Sequence, residues 1–302
     1  MNLSVTPGSS HVLMPPKDIC ASASRMHLSP ETIAHHAVQA LIDEATLTPK
    51  PALVDRRGCG AHLDLSLDRM LSSAYILGPY FVSMARTAQR PELGTPLREA
   101  LGSIGRDAER AMLVTTGGTN THRGAIWALG LLVAAIAHAK ELTEEEIRRF
   151  AAELAALPDR TVPASISNGA DVQKRYGVGG ARSEAMSGFP HLFCVGLPAL
   201  RAARSRGRRE THARLDALLS IMTSLEDTCL LHRGGHNALD AAQRGAARVL
   251  ADGGSGTLEG SVALQCLHES LMSLWASPGG AADMLAATLL IDRISRVPGG
   301  AR

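Results

Sequence analysis

No stretch of this chain alternates apolar and polar residues at period two for more than a few positions, while apolar residues recur at helical spacing along most of it. That pattern excludes a substantial sheet and leaves packed helices. Residue choice agrees, leaning to Ala, Leu, Arg and Glu and sparse in Val, Ile, Tyr and Phe. The segment through about His27 mixes Ser, Pro and Gly without periodicity, so residues 1–28 read as a mobile tail and residues 29–302 as one helical domain. Ser29-Pro30-Glu31 opens a helix, with Ser29 as cap and Pro30 at its first position. Ile33, Ala37, Ala40 and Leu41 share its apolar face until Thr48-Pro49-Lys50-Pro51 stops it. Further helices are expected near Leu63–Met84, Pro96–Leu113, His122–Leu142, Thr143–Ala156, His212–Leu231, Ala238–Leu250, Ser261–Trp275 and Gly279–Ser295. Gly-rich loops at Thr115–Gly118, Gly177–Gly188, Arg233–Gly235 and Ser277–Gly280 adjoin their ends, where backbone N–H groups can receive an anion. The expected class is all-α: a single helical domain whose Gly-rich loops gather at helix ends around a phosphate-binding site.

Charge and apolar content narrow the function. A pI near 8.4 and nine aromatic side chains do not suit base stacking, so no nucleic-acid partner is expected. The longest apolar run, Ala125–Ala137, is short of the ~20 residues a membrane span needs and fits a buried helix. The first thirty residues lack an export signal, and Cys20, Cys59, Cys194, Cys229 and Cys266 form no Cys-x-x-Cys pair. A reducing, cytoplasmic setting without membrane contact is therefore expected. Six arginines crowd Arg201–Arg214, which reads as an exposed, solvated loop and helix start. The apolar content leaves homodimerisation open.

Common nucleotide, zinc-protease and serine-hydrolase signatures are missing, and five other segments carry the chemistry. In Thr48–Asp68, Asp64 and Asp68 are four apart, so a helix would put both on one face. Such a pair costs ~0.2–0.5 kcal/mol unless a cation such as Mg²⁺ sits between them; a solvated edge beside Arg69 is the plainer alternative. In Thr115–Ala125, Gly117 and Gly118 permit close approach, Asn120 or Thr121 can cap, and His122 and Arg123 offer cationic donors to a phosphate. In Tyr176–Pro190, glycines crowd around the charged Arg182 and Glu184. Glu226–Gly235 sets Glu226 and Asp227 one to two helical turns before His232 and Arg233. Ser277–Asp283 is mainly a helix start, with Asp283 able to face a metal.

Taken in order, TPKPALVDRR…GAHLDLS, AMLVTTGGTNTHRGAIWALGLL, YGVGGARSEAMSGFP, LEDTCLLHRGG and SPGGAADMLA resemble the triphosphoribosyl-dephospho-coenzyme A synthase family from about Leu47 to Leu290. The run Arg56–His62 stands where the citrate lyase branch tends to have Asn-Asn-Gly, and Arg123 where that branch often has Lys. Both point to the malonate decarboxylase branch.

The resemblance implies a transferase joining ATP and 3′-dephospho-CoA into 2′-(5″-triphosphoribosyl)-3′-dephospho-CoA with release of adenine. The product would pass to a separate transferase that acts on an acyl-carrier subunit. It implies Mg²⁺ brought as Mg-ATP, with Asp64, Asp68 and Glu226 as metal ligands. Glu184 or Asp227 would act as base or stabilise the sugar cation. Lys50, Arg57, Asn120, His122, Arg123, Arg182, His232 and Arg233 would hold the phosphates of the substrates. Two other readings compete: an all-α Mg²⁺-dependent hydrolase or transferase of diphosphate esters, and a non-enzymatic helical protein that binds an acyl carrier.

Overall fold

A computed structural model describes Met1 and residues 28–89, 92–161 and 168–297; the expected tail lies almost wholly outside them. Among these residues the chain forms thirteen α-helices and one π-helical turn, with no strand. Helix α1 (Pro30–Thr46) starts as the sequence indicates: Ser29 Oγ accepts the Thr32 N–H at 3.1 Å, with Pro30 in the first turn. Its buried face packs on α13 (Gly279–Ile294) and α3 (Gly78–Ala88). Helix α5 (Arg123–His138) is buried along Ala125–Ala137 apart from Trp127, and packs against α3, α13 and α6 (Glu144–Ala156). Fully buried leucines such as Leu129 and Leu132 each contribute about 1.5–3 kcal/mol. One apolar cluster draws on every helix.

Four expectations need correction. The helix expected over 63–84 is two, α2 (Leu67–Ile76) and α3, because Pro79 lacks the N–H that would bond back to Tyr75. Ser66 Oγ accepts the Arg69 N–H and starts α2 after Asp64, so Asp64 and Asp68 do not share a helical face. The helix expected over 212–231 ends with α10 (Glu210–Met222), and α11 (Thr228–Ala251) restarts from a cap at Asp227. Arg233–Gly235 is no loop but a kink inside α11, where Gly235 takes φ 61°.

Residues 168–205 hold more helix than their sequence suggests: α7 (Asn168–Tyr176), α8 (Gly180–Met186), a π-helical turn (His191–Gly196) and α9 (Leu197–Ser205). The Gly177–Gly188 loop thus contains α8, with glycines at positive φ at its margins. The arginine run is not simply solvated: Arg201 pairs with Glu144, Arg204 with Glu210 and Asp292, and Arg214 with Glu210 and Asp43. No described helix is long and apolar enough to cross a membrane. The four cysteines among the described residues are free.

Candidate functional site

The five segments meet where the N-termini of α5, α11 and α13 converge. Asp227 makes the first junction. Its Oδ1 accepts the N–H groups of Cys229 at 2.8 Å and Leu230 at 3.4 Å, and its Oδ2 accepts the Ala281 N–H at 2.9 Å. One carboxyl thus caps two helices and sits against the positive ends of both dipoles. A side chain at Gly280 would press to 3.0 Å on that carboxyl, and one at Gly279 to 2.9 Å on Cys229 Sγ, so the paired glycines permit this approach. Burial raises the Asp227 pKa despite these donors.

Asp283, one turn into α13, makes the second junction. It is half-buried and stands over the start of α5, where a Cβ on Gly124 would lie 2.0 Å from its Oδ2. Burial and the carboxylates of Glu44 and Asp227 push its pKa well up, against the pull of the Ala125 N–H.

The first segment is tied in by His62. Its Nε2 lies 2.8 Å from Ser277 Oγ, while Arg233 donates to its Nδ1 at 2.9 Å and to the Ala61 carbonyl at 2.8 Å. Burial and the Arg233 charge lower His62 to about 4, so the ring is neutral. Lys50 is fully buried, with Nζ 2.5 Å from Glu44 Oε1 and 2.6 Å from the Glu44 carbonyl. Arg57 instead stays near the surface, with Nε and Nη2 on Asp55 and Nη2 also on the Lys50 carbonyl.

Helix α5 begins at His122, whose Nδ1 lies 2.7 Å from Ser73 Oγ; Ser73 in turn accepts from Thr121 Oγ1 at 2.6 Å. The His122 Nε2 is buried without a hydrogen-bond partner. Burial, with the nearby Lys50 charge, lowers the ring to about 3. This corrects the cationic donor expected there: His122 is neutral. Asn120 Oδ1 accepts the Arg123 N–H at 3.1 Å, and Arg123 approaches Glu109 at 3.2 Å.

The third segment docks through Glu184. Its Oε1 accepts the His191 N–H and its Oε2 pairs with His191 Nδ1, both at 2.8 Å. The hydrogen bond to Glu184 raises the His191 pKa, while burial opposes it. Trp127 of α5 donates to the Ala181 carbonyl at 3.2 Å, and Gly180 lies against Thr228 of α11.

Of the residues singled out from sequence, Lys50, His122, Glu184 and Asp227 are buried in this assembly, and Arg233 bridges it at the surface. Arg182, His232 and Asn120 are exposed along its rim. Asp64, Asp68 and Glu226 are exposed as well, and no three His, Cys, Asp or Glu side chains among the described residues gather to hold a metal. Sequence reasoning missed Glu44, His62 and Ser73 as site residues, and gave Asp283 only as able to face a metal. Glu44 carried a readable signal, because it continues the apolar stripe Ala37, Ala40, Leu41. Ser73 carried none, since only packing brings it to His122.

The family model for CitG, ATP:dephospho-CoA triphosphoribosyl transferase, matches residues 30–300. A probable 2-(5''-triphosphoribosyl)-3'-dephosphocoenzyme-A synthase of Pseudomonas fluorescens Pf-5 is 58% identical over 266 residues, covering 87% of this chain and 91% of that protein. Proteins of the same name from Azotobacter vinelandii and Pseudomonas aeruginosa are each 55% identical over 272 residues, 89% of this chain and 93% of theirs. No solved structure matches.

Proposed function

Because the chain belongs to the CitG family of ATP:dephospho-CoA triphosphoribosyl transferases and is a transferase, we propose that it joins ATP to 3′-dephospho-CoA at the junction of α5, α11 and α13. The 2′-hydroxyl oxygen of dephospho-CoA bonds to C1′ of the ATP ribose. The C1′–N9 bond breaks, and its electron pair leaves with adenine. The observation that carries this reading is the half-buried Asp283 carboxyl, set against the start of α5 at Gly124, its pKa pushed up by burial and by the carboxylates of Glu44 and Asp227.

A sugar cation develops as the C–N bond stretches, as in glycoside cleavage. Asp283 gives its proton to the departing adenine, and the resulting carboxylate faces the cation and takes the proton of the incoming hydroxyl. One carboxyl thus serves as acid and then base, with no net gain of protons. Glu184 and Asp227 have both oxygens engaged by His191 and by helix N–H groups, which supports positioning roles for them. The exposed cations Arg57, Arg182 and Arg233, with His232, would hold phosphates, which are not cleaved. Mg²⁺ takes one or two carboxylates plus phosphate oxygens, so it would enter with ATP and steady the triphosphate. The exposed Asp64, beside His62 and Arg233, and the exposed Glu226 are the carboxylates that fit it.

The Arg56–His62 run and Arg123 favour the malonate decarboxylase branch for the product's destination. The test is a mass-spectrometric assay of the purified protein with ATP, dephospho-CoA and Mg²⁺. Free adenine with an intact triphosphoribosyl adduct, lost when CoA replaces dephospho-CoA, is the expected result. Release of phosphate or pyrophosphate without adenine would overturn it.

A further inference from the structure

A cavity of about 320 Å³ lies between the Pro49–Pro51 loop and the outer face of α12 (Leu258–Ser273), at the lower end of the ~300–1,000 Å³ usual for small-molecule sites. Nothing in the five segments pointed to α12. Yet α12 is joined to the first segment by a bond across 216 positions of sequence, the Ala52 N–H donating to His268 Nδ1 at 3.1 Å.

The lining is part flat and apolar, part polar. Pro49 and Pro51 supply rigid apolar surface from the loop, and Val262 and Leu264 supply it from α12. Val262 is 59% exposed, a large apolar side chain turned to solvent beside the opening. Because His268 Nδ1 accepts from Ala52, the ring is neutral there and its proton sits on Nε2, a donor. Gln265 Nε2 donates to Glu269 at 2.8 Å, which leaves the amide oxygen as an acceptor. An acceptor and a donor one turn apart complement adenine, which presents an exocyclic amine beside a ring nitrogen. Guanine would set a carbonyl against the Gln265 oxygen instead. Arg57 stands at the rim, 40% exposed, with Nε and Nη2 fixed by Asp55; its Nη1 makes no hydrogen bond among the described residues. A fixed guanidinium with one edge open suits a phosphate oxygen.

We infer that this pocket binds the adenosine end of a substrate, the base between the proline loop and α12, read by Gln265 and His268, with a phosphate on Arg57. The inference rests on the transferase reading in that both substrates, ATP and dephospho-CoA, are adenine nucleotides, and either could be the occupant.

The test is Val262→Trp, which fills the pocket from an exposed position, with Leu258→Trp one turn earlier as the control, since Leu258 is exposed but does not line the pocket. Binding of ATP and of dephospho-CoA is measured separately by titration calorimetry, alongside KM and kcat for adenine release. Val262→Trp is expected to raise Kd and KM for one nucleotide by about tenfold or more, with kcat within about twofold, and Leu258→Trp to change neither. The nucleotide affected identifies the occupant. Gln265→Leu is expected to weaken that same nucleotide about three- to tenfold and to reduce discrimination against the guanine analogue. Unchanged binding of both nucleotides to Val262→Trp, or an equal loss in Leu258→Trp, would overturn the pocket assignment. If adenine is released with both KM values unchanged in Val262→Trp, the pocket fails and the transferase stands. If the wild type releases no adenine but Val262→Trp still weakens nucleotide binding, the transferase reading fails and the pocket stands.

Discussion

Asp227 and Asp283 are both acids at helix N-termini, yet their surroundings give them different work. Asp227 spends both oxygens on two helices, and truncating it strips a cap from each. Asp227→Ala is expected to cost about 1–3 kcal/mol in urea unfolding, with activity falling as the two helices part. Unchanged stability would show that the double cap does not matter. Asp283 keeps a carboxyl open to the junction. Asp283→Asn preserves its shape but removes the transferable proton, so kcat for adenine release should drop about 10²–10⁴-fold while the melting temperature holds. Near-normal turnover in this variant would rule Asp283 out as the acid. The wild-type rate should also decline as the pH rises through the elevated Asp283 pKa, because only the protonated form can start the reaction.

Among the elements, α8 and the π-helical turn are held together by Glu184 and His191. The pair keeps His191 protonated above its ordinary 6.5, so its contribution is complete below that pH and fades as the pH rises through the raised value. His62 and His122 act in the opposite sense. Lowered to about 4 and about 3, they contribute above 6.5 and lose that contribution as the pH falls. Comparing slopes isolates the clamp. Between about pH 6 and about 8.5 the wild-type melting temperature should fall more steeply than that of Glu184→Gln, which cannot form the ion pair. Parallel slopes would mean that the pair contributes nothing. The elements hardest to read from sequence lie here. Glycines within Gly177–Gly188 suggest a loop, and only docking against Trp127 and Thr228 supports a helix as short as α8.

Across the whole molecule, an alternating chain of charges runs Arg293–Asp43–Arg214–Glu210–Arg204–Asp292–Arg296. It ties α1, α9, α10 and α13 at the end of α13 remote from Asp283. Hydrogen bonding to Arg204 lowers Glu210 to about 2. Asp292 is buried and serves two arginines. Asp292→Asn should therefore destabilise the protein by about 2–4 kcal/mol, less than a fully buried pair would because Arg296 is half exposed. Denaturant unfolding checks this, and a loss below about 0.5 kcal/mol would show the chain to be superficial.

The all-α class, the cap at Ser29, the bounds of α1, α6 and α13 and the start of α5 were legible because periodicity and capping act within a few residues along the chain, whereas α5 ends at His138, four residues before the expected Leu142. The five ordered segments were legible for the same reason, each being a local run beside a helix end. The family followed from their order. Tertiary structure decided what each polar group does. Whether Asp227 is free or caps depends on Ala281, and whether His122 carries charge depends on its burial and on Lys50, set by groups far off in sequence. Burial and desolvation arise only once the helices meet, so the surroundings of these side chains follow from packing and not from local sequence.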